Sequence, residues 1–155
     1  MPRAARLTRL ARTADELAAA IAGRAAAHLA RRPASEAWAP VEIVCHLRDS
    51  EEWFCARGRM ILAMDEPPLP RTHPDRWAQE RQYLRNDAAA AVAAFRRWRD
   101  ETRALFAGLA DGAWRRGGVH GDSRGRRTLD EFLSVMAWHD DNHLDQLQRA
   151  LDGRP

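Results

Sequence analysis

The 155-residue sequence contains no lysine, so all 25 residues counted as Lys or Arg are arginines. The formal net charge is only +3, and the arginines are spread along the chain instead of forming one concentrated stripe. Proteins that bind nucleic acids usually carry such a stripe. The densest basic segment, Arg115–Arg127, is therefore interpreted as a solvated loop, with nucleic-acid contact as the less favoured alternative. We expect no nucleic-acid partner.

Cysteine is scarce: the chain has two, Cys45 and Cys55, on one predicted helix. A helix rises about 1.5 Å per residue, so their Cα atoms would lie roughly 15 Å apart, too far for a disulfide. Free thiols are typical of a reducing compartment. The sequence also lacks a long apolar run and the apolar stretch of a secretion signal. We therefore expect a cytoplasmic protein with no membrane partner.

No segment shows a convincing strand pattern, whereas four long segments show helical periodicity. These predicted helices cover roughly residues 5–30, 40–64, 87–109 and 129–151. Pro40 with Glu42 marks a helix start, and Asn86 or Asp87 is expected to cap the third helix. Thr128 and Glu131 predict a capping box before the fourth helix.

The connection between the second and third predicted helices is long and rich in proline. It covers residues 67–86, with a short helix expected around residues 76–84. Asp111-Gly112 is expected to close the third helix. The sequence therefore predicts an all-α fold: a four-helix bundle with a long crossover between helices 2 and 3, in a single domain spanning residues 1–155.

Two histidines near the C-terminus, His139 and His143, are four residues apart. Residues at this spacing lie one above the other on the same helix face. Both share a predicted inward-facing stripe with apolar neighbours. Imidazoles in an apolar setting must be neutral and hydrogen-bonded, or must bind a metal. The other members of the stripe are Phe132, Val135, Met136, Gln146, Leu147 and Ala150.

A third histidine, His46, lies at the edge of the inward face of the second predicted helix. If it meets His139 and His143, three imidazole nitrogens could hold a divalent ion such as Zn, Ni or Fe. Three protein ligands leave one position for water or substrate, which is the pattern of a catalytic site. The alternative is that these are ordinary core or surface histidines.

Several polar residues are candidates to support this site. Asp49 and Glu42 share a flank of the second helix with His46 and could accept an imidazole N–H. Gln146 lies near the histidine pair of the fourth helix and could orient a ligand.

Two further residues are candidates to contact a substrate. Arg57, about three turns beyond His46, could meet an anionic group, although a charge extending to solvent at the bundle end is the favoured interpretation. His120 lies in a loop that precedes the fourth helix and could fold over the site. The six tryptophans are expected in core packing, with an aromatic pocket or a dimer face as the alternative.

Two segments together resemble the signatures of the DinB-like superfamily. Residues 38–51, Trp-Ala-Pro-Val-Glu-Ile-Val-Cys-His-Leu-Arg-Asp-Ser-Glu, are similar to its second-helix signature. Residues 139–146, His-Asp-Asp-Asn-His-Leu-Asp-Gln, with His120, Gly125 and Thr128-Leu129, are similar to its C-terminal signature. Ala39 stands where serine is common, which weakens the helix cap by about 1 kcal/mol.

This resemblance implies a four-helix bundle, a divalent metal held by His46, His139 and His143, and commonly a homodimer. Some relatives are thiol S-transferases using bacillithiol or mycothiol, or thiol-dependent isomerases. The leading hypothesis is therefore a metal-dependent transferase whose small-molecule substrate is a low-molecular-weight thiol. The alternative is a non-enzymatic bundle that binds a ligand or partner and keeps a structural or vestigial metal.

Overall fold

A computed structural model describes residues 1–121 and 124–155. Its helices are α1 (Arg3–Ile21), α2 (Ala26–Leu29), α3 (Pro40–Ala63), α4 (Pro74–Glu80), α5 (Ala88–Phe106) and α6 (Leu129–Leu151). Its short strands are β1 (Pro68–Leu69), β2 (Gly117–His120) and β3 (Arg126–Thr128), and 3₁₀ turns cover Tyr83–Arg85 and Ala113–Arg115. The helices α1, α3, α5 and α6 form a four-helix bundle, which confirms the predicted fold class.

The four long helices are arranged so that α1 and α3 each pack on both α5 and α6. Every long helix contributes to two apolar clusters, one after the other along its length. Along the sequence, α3 and α5 contribute first to one cluster and then to the other, whereas α1 and α6 contribute to the two clusters in the opposite order. Neighbouring helices α3 and α5 therefore run parallel, and joining them requires the long crossover that was predicted. The first cluster includes Leu17, Val44, Phe95 and Leu147, and the second includes Leu10, Ile61, Phe106 and Phe132.

A layer of buried polar residues separates the two apolar clusters. Each long helix contributes one residue to this polar layer: Thr13 in α1, Glu51 in α3, Arg99 in α5 and Asp140 in α6. The histidines of α3 and α6 lie at about the same level of the bundle as this polar layer.

The helix starts follow the capping signals of the sequence. Thr128 Oγ1 accepts from the amide of Glu131 at 3.2 Å, and the Thr128 amide donates to Glu131 Oε2 at 2.8 Å, which confirms the predicted capping box. Asp87 caps α5 by accepting from the amide of Ala90 at 2.7 Å. Ala39 has no side-chain acceptor, and Glu42 completes the start of α3 by accepting from the Ala39 amide at 2.8 Å.

Three predicted helix boundaries were wrong. The first helix ends at Ile21, because Gly23 takes a left-handed φ of +69° and separates α1 from the short α2. The third ends at Phe106, because Gly108, with a φ of +75°, closes it before Asp111-Gly112. The short helix of the crossover begins at Pro74 and ends at Glu80, earlier than expected.

The structure also contains three short strands, although no segment of the sequence shows a convincing strand pattern. Strand β1 pairs with β2 in parallel, with Leu69 opposite His120, and β2 pairs with β3 in antiparallel. A Cβ added to Gly118 would lie 2.8 Å from the Leu69 side chain, so glycine permits this close pairing. The strands are too short for a period-2 pattern to be visible in the sequence. None of the described helices is long and apolar enough to cross a membrane.

Candidate metal centre

The structure brings His46, His139 and His143 together where α3 packs on α6. Nε2 of His46 lies 3.0 Å from Nε2 of His139 and 3.1 Å from Nε2 of His143. One ring nitrogen from each of the three residues lies within 4.8 Å of the others. Nitrogens bound to one tetrahedral ion at about 2.0–2.1 Å are roughly 3.3 Å apart. The donor set and its spacing therefore fit a divalent metal.

The protonation of the three imidazoles suits a metal ligand. Desolvation, and next the nearby His143, lower the pKa of His46 to about 3. Desolvation also lowers the pKa of His139 to about 2, with smaller contributions from the other two histidines and from Arg99. The pKa of His143 is lowered as well, again by desolvation. All three rings are therefore neutral near pH 7, which is the state that binds metals.

Gln146 fixes the tautomer of one ring. Its Oε1 lies 2.7 Å from Nδ1 of His143. An amide oxygen can only accept, so the ring proton of His143 lies on Nδ1 and its Nε2 carries a lone pair. In the described part of the chain, Nδ1 of His46 is buried without a hydrogen-bond partner. The structure thus brings one of the three predicted supporting residues, Gln146, to an imidazole.

The side chains of Glu42 and Asp49 point to other partners. Glu42 forms a bidentate pair with Arg32, at 2.6 and 2.8 Å. Asp49 accepts from Arg48 at 2.7 Å and from the Tyr83 hydroxyl at 2.5 Å. Burial alone would raise the pKa of Asp49, but these bonds hold it below its ordinary value. Glu42 therefore stabilises the start of α3, and Asp49 joins α3 to the crossover. Neither carboxylate accepts from His46.

A cavity of about 750 Å³ opens beside the three imidazoles, which form part of its wall. This volume lies in the range of small-molecule sites, about 300–1,000 Å³. Tryptophans, phenylalanines and arginines line much of the remaining wall, together with several small or polar residues. The lining side chains include Trp53, Phe54, Arg57, Trp77, His120 and Phe132.

Four of the six tryptophans lie either in the core or in the wall of this cavity. Trp114 is buried in the second apolar cluster, whereas Trp38, Trp53 and Trp77 line the cavity. The rings of Trp53 and Trp77 stack with their centroids 5.7 Å apart and their planes at 11°. This stack attaches α4 of the crossover to α3. Trp138 is 65% exposed and belongs to neither group.

Arg57 and His120 both reach the cavity. Arg57 is only 5% exposed, so it does not extend to solvent as the favoured interpretation held. Its Nη2 donates to the Pro70 carbonyl, and its guanidinium lies 5.4 Å from the centre of the Trp53 ring. His120, in β2, stacks on Phe132 with the ring centroids 5.9 Å apart. The pairing of β2 in the small sheet thus places His120 in the wall of the cavity.

Sequence reasoning missed the polar layer and Ser50, whose Oγ lies 3.5 Å from Nε2 of His46. A signal for the layer was present. Asp140 interrupts the apolar strip of Leu133, Ala137, Leu144 and Leu151 at helical spacing. Glu51 and Arg99 likewise follow core residues by one turn in α3 and α5. A charge in a core position of a helix indicates a buried partner.

The basic segment 115–127 is engaged within the chain. Arg116 donates to the carbonyls of Ile61 and Met64 at 3.0 and 2.7 Å, and Arg126 donates to Glu66 at 2.6 Å. Residues 122 and 123 of this segment lie outside the described residues. The absence of a nucleic-acid partner stays a prediction.

The fold and the site define a class of protein: a four-helix bundle in which three histidines from two helices converge beside a cavity. Within that class the family is identified by comparison with known proteins. The model of the DinB superfamily matches residues 9–147, so the chain belongs to the DinB superfamily. The resemblance found in the sequence is thereby confirmed.

The chain is similar to YfiT of Bacillus subtilis (strain 168), a protein whose name describes it as a metal-dependent hydrolase. The two are 24% identical over 107 residues, which cover 69% of this chain and 60% of YfiT. The solved structure of YfiT, described as a four-helix bundle of unusual topology, matches with a TM-score of 0.90 at 20% identity, over 96% of this chain and 85% of that one. The mycothiol-dependent maleylpyruvate isomerase matches with a TM-score of 0.74 at 13% identity, over 95% of this chain and 61% of that one. At these identities the structural matches establish the fold.

Proposed function

We propose that this chain is a divalent-metal-dependent enzyme that transfers a low-molecular-weight thiol to a small electrophile, with Nε2 of His46, His139 and His143 as the metal ligands. One observation carries the proposal: the three converging nitrogens form part of the wall of a cavity large enough for a substrate. A closed structural site would have a fourth protein ligand. Among the described residues, this cluster contains no fourth His, Cys, Asp or Glu.

The side chains around the cluster support the ligand role. When bound, a divalent metal would supply Lewis acidity, which lowers the pKa of a thiol or a water at its open position. The desolvated imidazoles are neutral and need not lose a proton before they bind. The Nδ1–H of His143 donates to Gln146, which orients the ring and increases the basicity of its Nε2.

The rest of the cavity indicates the kind of electrophile. Its aromatic wall, including Phe54 and the stacked Trp53 and Trp77, suits an apolar or planar body. Arg57 in the same wall suits an anionic group on that body. In the proposed transfer the thiol loses its proton, its sulfur bonds to the electrophilic carbon, and the displaced group leaves with the bonding electron pair. His120, also in the wall, is the side chain we propose to carry the proton.

Hydrolysis is a second candidate, and the similarity to YfiT favours it. Water would then take the place of the thiol, with the same histidines and the same cavity. The mycothiol dependence of the maleylpyruvate isomerase supports the thiol reaction instead. Measuring both reactions on one preparation separates the two candidates.

The first test is the metal content and activity of untagged protein. We expect about one divalent ion per chain, and consumption of mycothiol or bacillithiol with a panel of anionic aromatic electrophiles. His139→Ala should lose both metal and activity. His28→Ala is the matched control, because His28 lies away from the cluster and bonds to the Leu151 carbonyl at 3.1 Å.

Each other result has a defined meaning. A metal content far below one ion in the wild-type protein would refute the metal site. Bound metal with ester or amide hydrolysis but no thiol consumption would favour the second candidate. Metal that raises the melting temperature without turnover of any substrate pair would favour a non-enzymatic, ligand-binding bundle. The homodimer stays a prediction, which sedimentation velocity would test.

A further inference from the structure

A buried ion cluster lies beside the histidines in the polar layer of the bundle. Arg99 is 2% exposed, and Glu51 and Asp140 are each 1% exposed. The Arg99 guanidinium forms a bidentate pair with Asp140, at 2.7 and 3.0 Å, and its Nη2 also donates to Glu51 at 2.8 Å. It further donates to the Leu10 carbonyl at 2.9 Å. One guanidinium therefore bonds to all three of the other long helices.

The two carboxylates of this cluster lie on the helices that carry the histidines. Asp140 directly follows His139 in α6. Glu51 is five residues beyond His46 in α3, which is about 7.5 Å along the helix axis. The Arg99 guanidinium thus bridges α3 to α6 within about two turns of the point where the imidazoles meet.

The histidines do not hold themselves together. Their Nε2 atoms lie 3.0 and 3.1 Å apart, and a neutral ring has a single N–H to donate. The proton of His143 is already directed to Gln146. At most some of the contacts between the three rings can be hydrogen bonds, and the remaining lone pairs repel. A contact that ties α3 to α6 close to the rings therefore helps to keep them at this spacing.

We propose that Arg99 is a positioning residue of the metal centre, which holds Glu51 and Asp140 on one guanidinium and so fixes the spacing and rotation of α3 relative to α6. The planar fork of arginine suits this role because it binds carboxylates with defined distances and angles. The inference rests on the proposed metal site. It predicts that Arg99 affects the geometry of the bound metal and not only the stability of the fold.

The test uses the full-length protein and Co(II) as the probe, with the dissociation constant and the visible ligand-field spectrum as readouts. Arg99→Lys keeps a positive charge in the layer but lacks the fork that reaches both carboxylates. We expect Co(II) to bind about 10- to 100-fold more weakly, as for other outer partners of metal ligands, with a changed spectrum. Arg9→Lys is the matched control: Arg9 is 6% exposed and bonds to Glu16, Asp141 and, at 3.5 Å, to Thr13, but not to α3. It should leave the affinity and the spectrum unchanged.

The outcomes separate this inference from the proposed function. Wild-type protein that binds no Co(II) would refute the metal site and the inference together. Wild-type affinity and spectrum in a folded Arg99→Lys variant would overturn the inference alone. If Arg99→Lys does not fold, Glu51→Gln becomes the test variant. It keeps the side-chain shape and weakens only the contact of Arg99 with α3. An unaltered spectrum in Glu51→Gln would then overturn the inference.

Discussion

The two polar clusters in the bundle interior lie at the same level and share α3 and α6, yet they differ in how their polar atoms are satisfied. In the ion cluster, Arg99 donates to Asp140 and Glu51, and opposite charges face one another. Among the described residues, Nε of Arg99 and Oε1 of Glu51 are its atoms without a partner. In the histidine cluster, three atoms of the same kind converge.

This difference indicates separate roles for the two clusters. Polar groups in protein interiors are nearly always hydrogen-bonded, so converging acceptors require an explanation. The ion cluster is enclosed by all four long helices, whereas the histidines border a cavity of about 750 Å³. The enclosed cluster therefore supports the bundle. In the open cluster three imidazole nitrogens face one another, and a divalent metal would use their lone pairs.

The largest expected effect comes from breaking the enclosed cluster. Arg99→Met should lower the free energy of unfolding of the metal-free protein by about 3–5 kcal/mol, because it leaves two buried carboxylates without their partner. Urea denaturation followed by circular dichroism measures this. Arg96→Met is the control on the same helix, since its pair with Asp15 is exposed and should contribute less than about 1 kcal/mol. Equal losses in the two variants would refute the supporting role of Arg99.

The open cluster should instead make the metal-free protein sensitive to acid. Desolvation lowers the folded-state pKa of His46 to about 3 and of His139 to about 2, below the unfolded value of about 6.5. Below that value the unfolded chain binds protons that the folded chain does not. Stability is therefore complete above about pH 6.5 and falls with decreasing pH, by about 1.4 kcal/mol per pH unit for each histidine.

Urea denaturation between pH 7.5 and pH 5 in the presence of a chelator tests this dependence. The total loss from the two histidines should be about 4 kcal/mol. His139→Phe removes one of the titrating groups and should flatten the slope, whereas His28→Phe should not. A wild-type stability that does not change across this interval would show that the imidazoles are not shielded as the structure indicates.

The parts of this structure that could be predicted from the sequence depend on local periodicity. The spacing of His139 and His143 determines a shared helix face whatever surrounds it, and Thr128 with Glu131 specifies a helix start from contacts within one turn. Membership of the DinB superfamily, suggested by motifs on two helices, reflects the same local patterns. The four-helix bundle with a crossover followed from them.

The parts that could not be predicted depend on contacts between distant segments. The sheet forms because Leu69 of β1 pairs with His120 of β2, some fifty residues later in the sequence. Neither strand is long enough to show the alternating sequence pattern of a strand. Asp140 could be recognised as a charge in an apolar strip, but its partner Arg99 lies 41 residues away on another helix. Arg32 and Arg48, the partners of Glu42 and Asp49, lie nearer in sequence, but the sequence alone does not single them out. Each carboxylate has several arginines within reach in sequence, and the packing of the chain selects among them.

The smallest expected effect concerns Gln146, whose Oε1 accepts the Nδ1 proton of His143 in the histidine cluster. Gln146→Leu removes the acceptor of the His143 Nδ1 proton, so the ring can rotate and its Nε2 becomes less basic. We expect zinc affinity, measured by competition with a chromogenic chelator, to fall by about tenfold. Gln148→Leu is the control, because Gln148 is exposed on the same helix and bonds to Asp152 at 3.0 Å. Equal affinities in the two variants would show that the bond from His143 to Gln146 does not contribute to metal binding.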